Sequence, residues 1–312
     1  MRRVPPNTPH AAGSWLLPVG ERRRGRRAGG RTLGRPVRCR SASEGSEMGT
    51  AQSVESLEQL TTVWRAAVLD RNPEADVRDL PGLAVRWADC RFAFWNCVAL
   101  TGTGADAALV EQRLCRAADL MRAKQHPGYL LVFEDLLGEE ARAALGSAAE
   151  KAGLAHGFRG IGMAGDLLPL PEPHHPELTF ERVTTDRQLR AYADLNSRAY
   201  GMPLEDGRDG LVGTRLWTER AYAYLGVRDG VPVAGAATLE ADGRLFVALV
   251  VTDPDQQRRG YGEAVTRKAL YEGGRATGLT RATLHATPAG APVYPRIGFV
   301  PNTPVHFYGL RE

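Results

Sequence analysis

The residues most clearly arranged for chemistry lie in one stretch, Leu249–Val265, which reads L-V-V-T-D-P-D-Q-Q-R-R-G-Y-G-E-A-V. An apolar strand ends at Thr252, Asp253-Pro254-Asp255 turns the chain, and Gln257-Arg258-Arg259-Gly260-Tyr261-Gly262 opens a helix. That order suits an anion. Glycine lets the backbone approach a ligand closely, the first helical turn carries N–H groups without partners, and the helix dipole adds to the attraction. Arg258 and Arg259 add charge at the rim. The stretch is neither a Walker loop, lacking G-K-[ST], nor a dinucleotide loop, lacking G-x-G-x-x-G. His174-His175 sit between prolines with no further ligand cluster near them, so solvated histidines are expected there in place of a metal site. The cysteines are Cys39, Cys90, Cys97 and Cys115, with no C-x-x-C pair. Cys90 and Cys97 read as small buried hydrophobes, and the low count suits a reducing compartment.

The elements that must position this stretch follow from periodicity and turn signals. Leu178–Val183 reads as a strand, and Asp186 as the N-cap of a helix to Tyr200. Residues 201–210 read as a Gly- and Asp-rich loop, and 211–220 as a helix. Tyr222–Arg228 and Val231–Leu239 form a hairpin on the favoured turn Asp229-Gly230, with a second turn at Ala241-Asp242-Gly243. Arg244–Thr252 is apolar almost throughout and should be a central strand. Gly260–Thr277 is a long helix and Arg281–Ala286 a strand. Ala289–Ile297 is a short helix, and Phe299-Val300 and Val305–Leu310 are closing strands.

P-x-x-[RQ]-x-x-G-x-[GA] after an apolar strand resembles motif A of the GNAT-type N-acyltransferases, here Pro254, Gln257, Gly260 and Gly262. A second signature, A-x-x-x-Y-x-x-x-G-F or close to it, follows the next strand, with Ala291, Tyr294, Gly298 and Phe299. The resemblance covers about 178–312. It implies an α/β (α+β) fold with a mixed, largely antiparallel central sheet and helices on both faces, and acetyl-CoA as co-substrate without a metal. It further implies that the main chain of Val250 and Thr252 meets the pantetheine arm, and that the amides of Gln257, Arg258, Arg259, Gly260, Tyr261 and Gly262 hold the pyrophosphate. Tyr294 matches the usual general acid, a phenol of ordinary pKa near ~10; its structural alternative is core packing. The general base stays open between His285, Glu240 and ordered water. Many relatives carry Asn three residues before the motif's Ala. Pro288 stands there in this chain, leaving Thr287 or backbone to make the pantetheine contact.

Residues 48–168 read as an N-terminal α/β domain. They show helices at Leu57–Leu69, Ala107–Lys124 and Glu139–Ala152, and strands at Arg91–Leu100, Tyr129–Glu134 and 158–168. Their rhythm is comparable to that of the second half, without the glycine loop. A degenerate GNAT-like copy, giving two tandem domains, and an unrelated accessory domain both remain open. Residues 169–177, P-L-P-E-P-H-H-P-E, are the linker, and 178–312 the catalytic domain. Residues 1–47 carry eleven Arg against three Glu, a charge of +8, which leaves −4 of the chain's net +4 for the rest. This tail is expected to be disordered, or to precede a true start at Met48. A mildly acidic body does not point to nucleic acid, and no run approaches the ~18 apolar residues of a membrane span. The expected activity is acetyl transfer to a primary amine of a small molecule or peptide, with Glu205, Asp206 and Asp209 near the acceptor. The setting is cytoplasmic, as a monomer or homodimer. The alternatives are a non-catalytic acyl-CoA-binding regulatory module and a purely structural protein.

Overall fold

The computed structural model describes residues 42–167 and 169–311. The tail at 1–41, Cys39 and Leu168 lie outside the described residues. In chain order the helices are α1 (Ala42–Arg71), α2 (Ala107–Arg122), α3 (Glu139–Lys151), α4 (Asp186–Ala199), α5 (Leu204–Leu211) and α6 (Tyr261–Thr277). The strands are β1 (Asp76–Leu80), β2 (Leu83–Trp87), β3 (Asn96–Leu100), β4 (Tyr129–Phe133), β5 (Leu154–Asp166) and β6 (Thr179–Arg182). They continue with β7 (Tyr222–Arg228), β8 (Val231–Ala241), β9 (Arg244–Thr252), β10 (Arg281–Ala286) and β11 (Val300–Leu310).

All eleven strands join one sheet in the order β1-β2-β3-β4-β11-β5-β10-β9-β8-β7-β6. Among the described residues only the strand pairs β3/β4 and β9/β10 are parallel. The same pattern therefore recurs from both ends, with antiparallel strands, one parallel pair, and then a strand from the other half. β11 lies between β4 and β5, and β5 pairs with β10 along Arg281↔Asp166 to Ala286↔Ile161. Residues 48–168 and 178–312 are thus divided in sequence, while the sheet runs across the division.

Side-chain alternation sends each strand into two cores. On one face Leu57, Leu60 and Val63 of α1, Leu189 and Tyr192 of α4, and Leu211 of α5 pack on Ala99, Leu131, Ala237 and Phe246. On the other, α2 and α3 cover Val85, Val98 and Leu130, while α6 covers Leu245, Val247 and Leu284 and Val233 and Ala236. Polar contacts pin α1 across the middle of the sheet. Glu55 takes Arg244 at 2.6 Å and Arg281 at 2.5 Å, and Gln59 Nε2 donates to the Ala241 carbonyl.

Both D-G turns form, with positive φ at Asp229 and Gly230 and at Asp242 and Gly243, which matches the strand twist. Several expectations need correction. The cap of α4 is Thr185, whose side chain accepts from Gln188 N, so Asp186 is the first helical residue. The 201–210 loop contains α5, and 211–220 holds only one wide turn, Leu216–Arg220. The Arg91–Leu100 strand begins at Asn96; before it, Ala93–Trp95 form a tight turn that buries Trp95. β1 and β2 were not foreseen, and the two closing strands are one, bulged between Pro301 and Thr303. α1 starts at Ala42, inside the segment expected to be disordered. Cys90 and Cys97 are buried, which pushes their thiols up to about 11 and about 12 and keeps both protonated at neutral pH. Among the described residues no helix is long and apolar enough to cross a membrane.

Candidate functional site

The loop ahead of α6 has a fixed shape. Asp253 anchors it, accepting from Asp255 N and pairing with Arg198 at 2.9 Å. Pro254–Gln256 make one tight turn, Arg258 takes φ +64°, and Gly260, the N-cap of α6, takes φ +81°. A left-handed arginine is uncommon and costs on the order of 1 kcal/mol. No side chain caps α6, so its first-turn N–H groups keep their outward donors. A Cβ on Gly262 would lie 2.9 Å from Thr252 Oγ1, so only glycine keeps the strand end and the helix start this close. Arg258 and Arg259 are exposed, with no ion pair among the described residues.

Beside this loop the sheet opens. β9 and β10 are paired at Ala282↔Leu245, Thr283↔Phe246 and Leu284↔Val247 and then part. β10 turns its remaining residues to β5. β9 bulges, with Leu249 at φ +49°. Leu249 and Val250 drop out of the ladder with β8, which resumes at Val251↔Gly235 and Thr252↔Ala234. The main chain of Val250 therefore borders the gap without a strand partner. The buried Tyr192 holds the bulge by donating its hydroxyl to the Leu249 carbonyl at 2.7 Å.

Tyr294 and His285 stand at this gap on opposite faces. Tyr294 belongs to the core under α6, is 6% exposed, and meets Phe299 edge-on. Burial, then the nearby Tyr200 phenol, push its own phenol well above the ordinary value, so it keeps its proton at every physiological pH. His285 is the first β10 residue beyond the stretch paired with β9, and faces α1. Its ring lies between Phe133 and Phe246, and its Nε2 is 2.8 Å from Ser56 Oγ. Nδ1 is buried without a partner among the described residues. Burial pushes the imidazole down to about 4, only partly offset by the Ser56 hydrogen bond, so it is neutral at physiological pH. Glu240 is not brought to the gap. It is exposed on β8 opposite Leu245, five residues along the strand from Val250 and so ~16 Å away. Of the α5 acids, Asp209 is taken by Arg71 and the Arg91 N–H, whereas Asp206 is half-buried and in no ion pair among the described residues. The Thr287 hydroxyl accepts from Gly290 N and so serves the turn that carries Tyr294.

Three residues around the gap escaped the sequence reading. Tyr192 and Tyr200, eight residues apart on one side of α4, had a helical-spacing signal. Ser56, 229 positions from His285, had none. The linker also does more than connect. His175 Nε2 donates to the Arg259 carbonyl at 3.2 Å while its Nδ1 accepts from Glu177 N, which together fix the orientation of the ring. Its ring packs edge-on against Tyr261, whose hydroxyl donates to Glu177 at 2.6 Å. The linker therefore clamps the loop ahead of α6 from outside. Among the described residues no group of three or more His, Cys, Asp or Glu is placed to hold a metal.

Comparison with known proteins agrees with this geometry. Residues 211–308 match the family model for the acetyltransferase (GNAT) domain. No curated protein matches the sequence. Among solved structures, a GCN5-related N-acetyltransferase from Kribbella flavida is 21% identical, covers 83% of this chain and 95% of its own, and superposes with a TM-score of 0.61. One from Sphaerobacter thermophilus is 16% identical, covers 83% and 92%, and gives a TM-score of 0.51. These two likenesses establish the fold. The opened parallel pair, the bulge and the uncapped helix accord with that match, and residues 211–308 are similar to a GNAT acetyltransferase domain.

Proposed function

We infer that the chain transfers an acetyl group from acetyl-CoA to a primary amine, with the groups that hold the co-substrate in its second half. The observation that carries this is the placement of the uncapped, glycine-opened start of α6 directly beside the point where β9 and β10 part. The residues suit the co-substrate in polarity. The amides from Gln257 to Gly262 and the cations Arg258 and Arg259 would hold a pyrophosphate, and the free main chain at Val250 and at Thr252 would pair with an extended amide-bearing arm. Acetyl-CoA supplies the activated thioester. The amine nitrogen bonds the acetyl carbon, the C–S bond breaks, nitrogen gives up one proton and sulfur gains one.

Tyr294, protonated throughout, is suited to give the sulfur its proton, and one N–H at the bulge to polarise the thioester carbonyl. Neutral His285, with an unused Nδ1, is the better placed candidate to take the nitrogen's proton; Glu240 is too remote for that work. The first half is read as a second copy of the fold that has lost its cofactor site. Asp106 caps α2 by accepting from Leu109 N, placing a carboxylate where an anion would sit. The bridge Ala105↔Leu137 and the bond from Gly104 N to the Leu136 carbonyl close the β3/β4 side.

Calorimetry with acetyl-CoA, followed by an amine screen that reads free thiol, tests the reading. One equivalent bound per chain and thiol release with an amine are expected. Binding without release for any amine would favour the regulatory module, and no binding at millimolar acetyl-CoA would end the proposal.

A further inference from the structure

On the face away from α6, the gap between β9 and β10 adjoins a row of aromatic rings that acetyl transfer itself does not require. Tyr200, at the end of α4, is an electrostatic neighbour of Tyr294. Its ring lies 5.1 Å from Phe94, and Phe94 lies 5.8 Å from Tyr129. Tyr129 meets Phe158 at 5.6 Å and Phe307 at 5.9 Å, both edge-on, and Phe158 stacks on Phe307 at 4.3 Å. The row ends against β10. A Cβ on Gly160 would be 3.2 Å from the Phe307 ring and 3.3 Å from the Ala286 carbonyl. It therefore runs from the neighbour of Tyr294 to the free end of β10, with three rings from the first half and two from the second.

Phe94, Tyr129, Phe158 and Tyr200 all stay half-exposed, as do Leu249 and Met202 beside them, whereas Phe92, Trp95, Trp217 and Phe246 below are fully covered. A partly open aromatic row beside the gap suits a ligand that carries a ring. Its charge narrows the choice. The row contains no acid, Asp209 is spent on Arg71 and the Arg91 amide, and Asp206 is the one half-buried α5 acid free of an ion pair among the described residues. A polycation would find too few counter-charges here. A single ammonium group is attracted to ring faces, and a flat apolar body packs edge-on or offset against them.

The geometry points to an acceptor that is a monoamine carrying an aromatic ring, seated against Phe94, Tyr129, Phe158 and Tyr200. The first half of the chain thereby determines acceptor specificity. This assignment rests on the acetyl-transfer reading of the adjoining site.

The test uses the full chain with phenethylamine and tryptamine against spermidine, glucosamine and a lysine-containing peptide. Phenethylamine or tryptamine should exceed the other three in kcat/KM by about 10–100-fold, the range one apolar group's fit supplies. Phe94→Ala and Phe158→Leu should each lower that value about tenfold. Calorimetry should show phenethylamine binding weakened in step while the Kd for acetyl-CoA is unchanged. Phe158→Leu keeps most of the side-chain volume, so a loss there with intact acetyl-CoA binding reports the ring and not the fold. Preference for spermidine, glucosamine or the peptide, or variants with undiminished kcat/KM, would overturn the acceptor assignment and leave the transferase reading standing. A wild-type chain that does not bind acetyl-CoA would remove both.

Discussion

Replacing His285 by Gln should remove a defined part of the protein's sensitivity to acid. In the unfolded chain the imidazole has its ordinary pKa of 6.5, and in the fold burial lowers it to about 4. The unfolded state therefore binds the proton more tightly, and acid draws the equilibrium toward unfolding. The stability carried by neutral, buried His285 is complete above the unfolded value and is lost as pH falls from about 6.5 to about 4. At ~1.36 kcal/mol per pKa unit, the drop between pH 7.5 and pH 4.5 amounts to roughly 2.5 kcal/mol. Gln has no such titration. The two proteins share every other acid-sensitive group, among them Glu55 and Asp209, whose carboxyls are held low by their arginine partners against the opposing effect of burial. Urea unfolding of both proteins at about six pH values gives the difference directly. The wild type should lose roughly 2.5 kcal/mol more than His285→Gln across that window, whatever the variant's stability at neutral pH. Parallel curves would mean that His285 titrates normally, so that it is neither desolvated nor poised as the neutral base. The same pKa predicts that kcat shows no His285 limb between about pH 5 and pH 9.

Tyr294→Phe keeps the ring against Phe299 but removes the proton donor, so kcat should fall ~100-fold or more with the acetyl-CoA Kd unchanged; an unaltered pre-steady-state rate of thiol release would take Tyr294 out of the mechanism. Gly262→Val forces side-chain atoms into the 2.9 Å approach to Thr252 and should weaken acetyl-CoA binding at least tenfold by calorimetry, whereas unchanged affinity would show that the loop does not hold the nucleotide. Tyr192→Phe leaves the Leu249 carbonyl without its donor and should lower stability by about 1–3 kcal/mol, seen as a drop of several degrees in Tm. Asp106→Ala should lower stability by about 1 kcal/mol through loss of the α2 cap. Acetyl-CoA stoichiometry should stay at one per chain in that variant, and a second equivalent in the wild type would refute a vestigial first-half site.

Features written in a few neighbouring residues were legible in the sequence. The D-G turns, the apolar run of β9 and the glycine pair that opens α6 depend on φ preferences, periodicity and donors within one or two turns of chain, which a short window contains. The 201–210 loop misled because Gly207 and Gly210 read as loop formers. They lie in a helix where a Cβ on Gly207 would meet Ser197 Oγ at 2.3 Å and one on Gly210 would meet the Phe92 side chain at 2.4 Å, so close packing, not backbone freedom, selects them. Strand exchange could not be foreseen, since β5 and β11 are separately ordinary strands and only their shared hydrogen-bond ladder shows that each completes the other half. Burial decided the roles of the ionisable groups. His285 and Glu240 looked alike as candidate bases. Desolvation between Phe133 and Phe246, under a helix more than two hundred residues earlier in the chain, makes one a neutral acceptor beside the gap, while the other faces water far along the strand. Local chemistry marked the loop ahead of α6 in the sequence; which groups surround it, and how wet they are, is a property of distant segments brought together by one sheet.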